Sequence, residues 1–163
     1  MDIRLARRED LERIQQIYRR AKAYMVETGN PNQWLDGYPQ REMLEADIER
    51  QHLFVMEEDG HIYGGFAFIV GDDATYRIIE DGAWRTDATY GTIHRIASSG
   101  ECKGLMHICM EYCLQQIDYI RIDTHQDNKV MQHLILKEGF EPCGVIYAID
   151  GNPRIAYDYI KLK

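Results

Sequence analysis

The chain of 163 residues contains no apolar run approaching the roughly 20 residues that a membrane-spanning helix requires. Its start, Met1-Asp2-Ile3-Arg4, lacks the apolar stretch of a secretory leader. The expectation is a soluble, cytoplasmic protein with no membrane partner. Positive charge is short as well: 19 Lys and Arg stand against 27 Asp and Glu, a formal net charge of −8. Nucleic acid is not expected as a partner, because phosphate contacts need clustered cations. Cysteine is limited to Cys102, Cys109, Cys113 and Cys143. Cys109 and Cys113 fall on one helical face and read as small buried hydrophobes, not as a disulfide or a metal pair. No His/Cys spacing matches a zinc site, so no metal is expected. No P-loop and no G-x-G-x-x-G is present, which ranks an ATP or dinucleotide enzyme last. What remains is 45% hydrophobic, enough for a real core. Domains commonly run to ~100–200 residues, so residues 1–163 are expected to form one domain.

The most informative stretch is Thr92–Ile117. Ile93, Arg95 and Ala97 alternate with Thr92, His94 and Ile96, which suits a strand, and Ser98-Ser99-Gly100 ends it. Met106, Cys109, Met110, Cys113, Leu114 and Ile117 then recur with helical period on one face. A strand–turn–helix aims unpaired N–H groups and the positive end of the helix dipole at one spot, which suits a phosphate or pyrophosphate. Gly100 and Gly104 let the backbone come close to it. Tyr119–Asp123 reads as the next strand. Asp127-Asn128 opens a helix carrying Val130, Met131, Leu134 and Ile135, which stops at Gly139. Upstream, Ile3 and Leu5 mark a strand, and Leu11, Ile14, Ile17, Tyr18, Ala21 and Met25 mark an amphipathic helix. Pro39 starts a second helix. Leu53–Met56 and Ile62–Val70 are strands joined at Glu58-Asp59-Gly60, a type I′ hairpin signal. Residues 72–87 read as irregular with a helical turn at Arg77–Glu80, and Val145–Ile149 with Ile155–Ile160 as a last hairpin. This α/β succession predicts a mixed, mostly antiparallel twisted sheet of about seven strands flanked by four helices. The terminal hairpin leaves an edge open to a second copy, the basis for expecting a homodimer.

At two of these places the chain resembles the GNAT superfamily of acyl-CoA N-acyltransferases. Ile96-Ala97-Ser98-Ser99-Gly100-Glu101-Cys102-Lys103-Gly104 is similar to that family's strand-plus-loop, l-A-V-x-P-x-x-R-G. Asp127-Asn128 through Lys137-Glu138-Gly139-Phe140 is similar to its later helix, N-x-x-A-x-x-l-Y-x-k-x-G-F. The segment Gln33–Pro39 looks like one in uncharacterised bacterial members. The resemblance implies a GNAT-like fold and acetyl-CoA as co-substrate, held by Ile96, Ala97, Ser98, Lys103, Gly104, Leu105, Met106 and Asn128. It also implies a hydrogen bond from Asn128 to the pantetheine arm; the plainer role for Asn128 is a helix cap. Two departures stand out. The loop pattern R/Q-x-x-G-x-G/A here reads Lys103-Gly104-Leu105-Met106-His107-Ile108, with both small residues replaced. Ile135 occupies the position where many members carry a proton-donating tyrosine.

Amine acylation needs a neutral amine, a donor for the carbonyl oxygen and an exit for the thiolate. His94 is the leading base, since an imidazole titrates near working pH; a lone strand histidine is more often a structural hydrogen-bonder. Glu80 and Asp81 are alternatives through a water. Tyr147 and the Tyr157/Tyr159 pair are candidate donors to the thiolate, with release to water equally open. By the resemblance, main-chain N–H groups near Ile96–Ser98 would polarise the carbonyl. The two loops that would line the acceptor pocket hold Trp34 and Tyr38, and Glu80 and Trp84. Aromatic walls beside carboxylates suit an amine with an apolar or cationic body, of a small molecule or peptide; as bare sequence, each tryptophan reads more simply as a core lid. The expected function is N-acetyl transfer from acetyl-CoA to a primary amine by direct attack in a ternary complex. The alternative is a catalytically impaired CoA-binding or regulatory module.

Overall fold

The computed structural model describes residues 1–162. In chain order its elements are β1 (Asp2–Leu5), α1 (Leu11–Glu27), α2 (Arg41–Glu49), β2 (Leu53–Glu58), β3 (His61–Val70), β4 (Gly91–Ser98), α3 (Leu105–Gln116), β5 (Tyr119–Thr124), α4 (Lys129–Lys137), β6 (Glu141–Tyr147) and β7 (Pro153–Ile160). The strands form one sheet in the order β1-β2-β3-β4-β5-β7-β6. Every neighbouring pair is antiparallel except β4–β5. The mixed sheet with four helices agrees with the expectation from the sequence. At the β2–β3 turn both Asp59 and Gly60 have positive φ, as a type I′ turn requires. The expected turn at Arg77–Glu80 lies slightly earlier, as a short 3₁₀ segment at Ala74–Tyr76, where the Asp73 carboxylate accepts from Thr75 N.

The apolar stripes read from the sequence explain which helix covers which face. Leu11, Ile14, Ile17 and Tyr18 of α1 bury against Leu44 of α2 and Leu53 and Val55 of β2. Full burial of each such aliphatic side chain contributes roughly 1.5–3 kcal/mol. On the opposite face, Met106, Cys109, Met110 and Cys113 of α3 and Ile135 of α4 pack on Phe66, Ile93 and Ile120. All four cysteines are free thiols. Among the described residues no helix is long and apolar enough to cross a membrane.

A long segment, 71–90, returns from β3 to β4 as a strap across β5, β7 and β6. Tyr76 and Tyr90 from the strap pack on Tyr119, Ile146 and Ala156 of the sheet. Arg121 lies buried between the rings of Trp84 and Tyr90, each 4.0 Å from its guanidinium. It donates to the Thr86 carbonyl at 3.0 Å, tying the strap to β5. Asp158, fully buried, accepts from Arg85 Nε at 2.6 Å and from the Tyr119 hydroxyl at 2.8 Å. Burial alone would raise its pKa, but these donors outweigh it and hold the carboxyl below its ordinary range.

The strap also settles the fate of the terminal hairpin. Glu80 and Val145 exchange backbone hydrogen bonds at 2.9 and 2.8 Å, and Ala83 N donates to the Cys143 carbonyl. The outer edge of β6, expected to be open to a second copy, is therefore occupied from Cys143 to Val145 by the chain itself. Gly82 makes the approach possible: its φ is +157°, and a Cβ there would overlap the Cys143 carbonyl oxygen. Only backbone movement could relieve that overlap. Gly82→Ala is expected to cost about 2–3 kcal/mol, or roughly 4–12 °C in Tm for a chain of this size, measured by thermal unfolding. A shift under 2 °C would mean that the strap does not hold this edge.

Candidate active site

The sheet opens at its centre. β4 and β5 pair only at Gly91↔Ile120 and Thr92↔Arg121, and then the two strands part. Where they part, β4 is bulged. Gly65 faces Ala97 and Ala67 faces His94, so Arg95 and Ile96 of β4 stand opposite the single residue Phe66 of β3. Arg95 takes a φ of +53°, which for a side-chain-bearing residue costs roughly 1–2 kcal/mol. Three contacts hold it there. Its carbonyl accepts from the Tyr18 hydroxyl at 2.8 Å, its guanidinium pairs with Asp47, and its Nη1 donates to the Tyr38 hydroxyl at 3.4 Å.

The bulge corrects one expectation from simple alternation. His94 was expected to share a face with Ile96. Instead Ile96 packs with the α3 core, whereas His94 lies against Tyr76 of the strap. The extra residue places His94 and Arg95 in succession on the α1/α2 side. His94 Nε2 lies 2.9 Å from Asp73 Oδ2. Burial would raise the Asp73 carboxyl, but the hydrogen bonds from His94 and Thr75 outweigh it and hold it at about 2. Asp73 is therefore ionised at neutral pH and accepts, so Nε2 carries a hydrogen directed at it. Asp73, 21 residues upstream, was not anticipated; the Asp73-x-Thr75 cap signal was its only trace in the sequence.

Below the opening, the loop from Ser99 to Gly104 runs into α3. Ser98 Oγ accepts from Gly100 N, and Glu101 pairs with Arg13 and His61, which pins the loop to α1 and the β2–β3 turn. The backbone N–H groups of residues 102–107 have no hydrogen-bond partner among the described residues, and no side chain caps α3. Gly104, with φ +84°, faces open space. Lys103 is exposed and forms no ion pair among the described residues. The Met106 side chain is 5% exposed and turned into the α3 core, so the large residue that replaces a small one does not fill the loop's mouth. Ile108 packs on the same core, and Ile135 is wholly buried there.

The opposite rim is a bridge. The segment between α1 and α2 crosses to the far side of the opening through Gln33, whose Oε1 accepts from Asn30 Nδ2, Thr124 Oγ1, Asn128 Nδ2 and His125 N at 2.9–3.3 Å. Asn128 thus has both ends engaged: Oδ1 caps α4 at Met131 N and Nδ2 serves Gln33. The geometry gives it the cap role and commits one of its two Nδ2 hydrogens to Gln33, with the second unpaired among the described residues. Ala97 is buried against α1, and Leu105 is buried in the α3 core.

The remaining expected residues are not gathered around one pocket. Trp34 is 4% exposed between Tyr18 and Tyr38, a core lid. Trp84 packs on Tyr76 and Arg121, and its Nε1 donates to the Tyr76 carbonyl, so it is a lid as well. Tyr147 lies on edge strand β6, donating to Glu80 at 2.9 Å. With β5 and β7 between, β6 is three strand spacings from β4, roughly 14 Å. Tyr147 and Glu80 therefore form a surface pair apart from His94. Among the described residues no group of three His, Cys, Asp or Glu could hold a metal.

Among the described residues the α/β sheet is split at its one parallel pair, with a row of free amides at the mouth and an acid–imidazole pair beside the split. Known structures share the overall fold. An acetyltransferase of the GNAT family from Streptococcus agalactiae 2603 is 34% identical, with TM-score 0.89 over 99% of this chain and 96% of that one. An acetyltransferase assigned by inference from Staphylococcus aureus Mu50 is 27% identical, with TM-score 0.69 over 98% and 99%. The NatB acetyltransferase complex bound to CoA and MES shares the fold at 11% identity, with TM-score 0.66 over 99% and 100%. No family model and no curated protein matches the chain. The chain belongs to the GNAT family of acetyltransferases, and its class of chemistry is acyl transfer.

Proposed function

We propose that the protein moves an acetyl group from acetyl-CoA to a primary amine, both bound at once. The observation that carries this reading is the split between β4 and β5, flanked by free amides on one side and by the His94–Asp73 pair on the other. The N–H groups of residues 102–107 and the open face of Gly104 fit a diphosphate, and Lys103 adds a cation. The co-substrate supplies the acetyl group as a thioester. The amine nitrogen forms the new bond to the acetyl carbon, the C–S bond breaks, and the amine proton passes to His94 Nδ1. Asp73 stabilises the imidazolium that results. Backbone groups of β4 beyond Thr92, unpaired on the β5 side, polarise the carbonyl. With Ile135 in the core, the departing sulfur takes its proton from water.

Calorimetric titration with CoA, beside thiol release over an amine panel, tests the reading. Binding with amine-dependent release supports it. Binding without turnover favours the CoA-binding module, and the absence of both overturns the site. Gly104→Asp is expected to weaken CoA binding at least tenfold, because its carboxylate would face the diphosphate. The uncharged Gly104→Asn isolates the backbone effect, since Asn and Asp tolerate the left-handed region comparably. Equal affinity in the two variants would remove the diphosphate from this loop.

A further inference from the structure

One hollow has no part in the chemistry above. It lies between α1 and the segment leading into α2, has a volume of about 280 Å³, and is lined by Tyr18, Arg19, Lys22, Tyr38 and Arg41 but by no carboxylate. That is the size of a site for a molecule of a few heavy atoms. Its sign is opposite to that of the chain, in which acids outnumber bases by 27 to 19. Arg19 has no hydrogen-bond or ion-pair partner among the described residues, and Lys22 reaches only the Pro31 carbonyl at 3.5 Å. Arg41 pairs with Glu45 on its own helix. Cations that share a hollow repel one another unless an anion enters.

The inner wall of the hollow contacts the residue next to His94. The Tyr18 hydroxyl donates to the Arg95 carbonyl, and the Tyr38 hydroxyl accepts from the Arg95 side chain. Arg95 directly follows His94, and the bulge turns both side chains to this face. A ligand whose anion sits among Arg19, Lys22 and Arg41 would lie against the Tyr18–Tyr38 wall, on the face of the sheet that carries His94.

Building on the acyl-transfer reading, we infer that the acceptor is a small amine that also bears an anion, a carboxylate or a phosphoryl-type group, and that this hollow receives the anion. This acceptor differs from the cationic or apolar amine expected from the sequence; Glu80 and Trp84, which suggested that amine, lie over the other half of the sheet.

Thiol-release kinetics on matched pairs test this: an amino acid and an aminoalkylphosphonate, each against its neutral amide or ester. The wild-type chain is expected to favour the anionic member in kcat/KM by at least tenfold. Arg19→Gln and Lys22→Gln should each reduce that ratio by about tenfold, through KM. Arg50→Gln, a charge change at the far end of α2, should leave the ratio as it was. If neutral amines turn over as well as anionic ones, or if the two hollow variants leave the ratio unchanged, the inference falls and acyl transfer stands. If no amine releases thiol, acyl transfer falls and takes the inference with it.

Discussion

His94→Ala is expected to lower kcat by ~10²–10³-fold, the usual contribution of a positioned general base, while CoA affinity changes less than twofold. The separation follows from geometry. His94 bonds Asp73 on the α1/α2 side, whereas the free amides lie in the loop that leads into α3. Asp73→Asn should give a smaller loss of about tenfold. The imidazole keeps its place but loses the ionised partner that fixes its tautomer and stabilises its charged form. Added imidazole should restore part of the His94→Ala rate and none of the Asp73→Asn loss. An unchanged kcat in His94→Ala would remove the base assignment outright.

The second large effect is expected at Gln33→Leu. One carbonyl oxygen there serves four donors, and Asn30, Thr124, His125 and Asn128 are all buried. A buried donor left unpaired costs ~1–3 kcal/mol. Even if water recovers half of them, the two left unpaired cost at least ~2 kcal/mol, or about 4–8 °C in Tm. Hydrogen exchange should show the earliest opening in residues 28–40, because this oxygen fastens that segment across the split. A Tm within 2 °C of wild type would show that the bridge is held elsewhere.

How far the chain announced these features depends on the kind of interaction. The helices were legible because burial repeats with their own period: Ile14, Ile17 and Tyr18 for α1, and Met106, Cys109 and Cys113 for α3. The β2–β3 turn was legible because Asp59-Gly60 is one of few pairs that accept positive φ twice. The bulge at Arg95 was not, since alternation assumes one residue per pleat and an arginine carries no signal of left-handed backbone. Asp73 and Gln33 were hidden for another reason. Their partners, His94 and Thr124, are distant in sequence, and a hydrogen bond between ordinary polar residues leaves no periodic trace. The strap on β6 is a backbone contact, marked only by Gly82 and Gly144, where Cβ atoms would collide. Met106 replaces a small residue of the resembled loop, yet its place in the apolar stripe already pointed it inward.

Segment 71–90 does two jobs through one stretch of main chain. It covers the middle of the outer edge of β6, and it delivers the carboxylate that faces His94. Gly82 and Asp73 lie on one segment, so under the proposed mechanism peeling this flap from β6 would part the imidazole from its carboxylate while the helices still cover both faces. Loss of turnover then comes ahead of loss of structure, and a bare, sticky margin appears at the same moment.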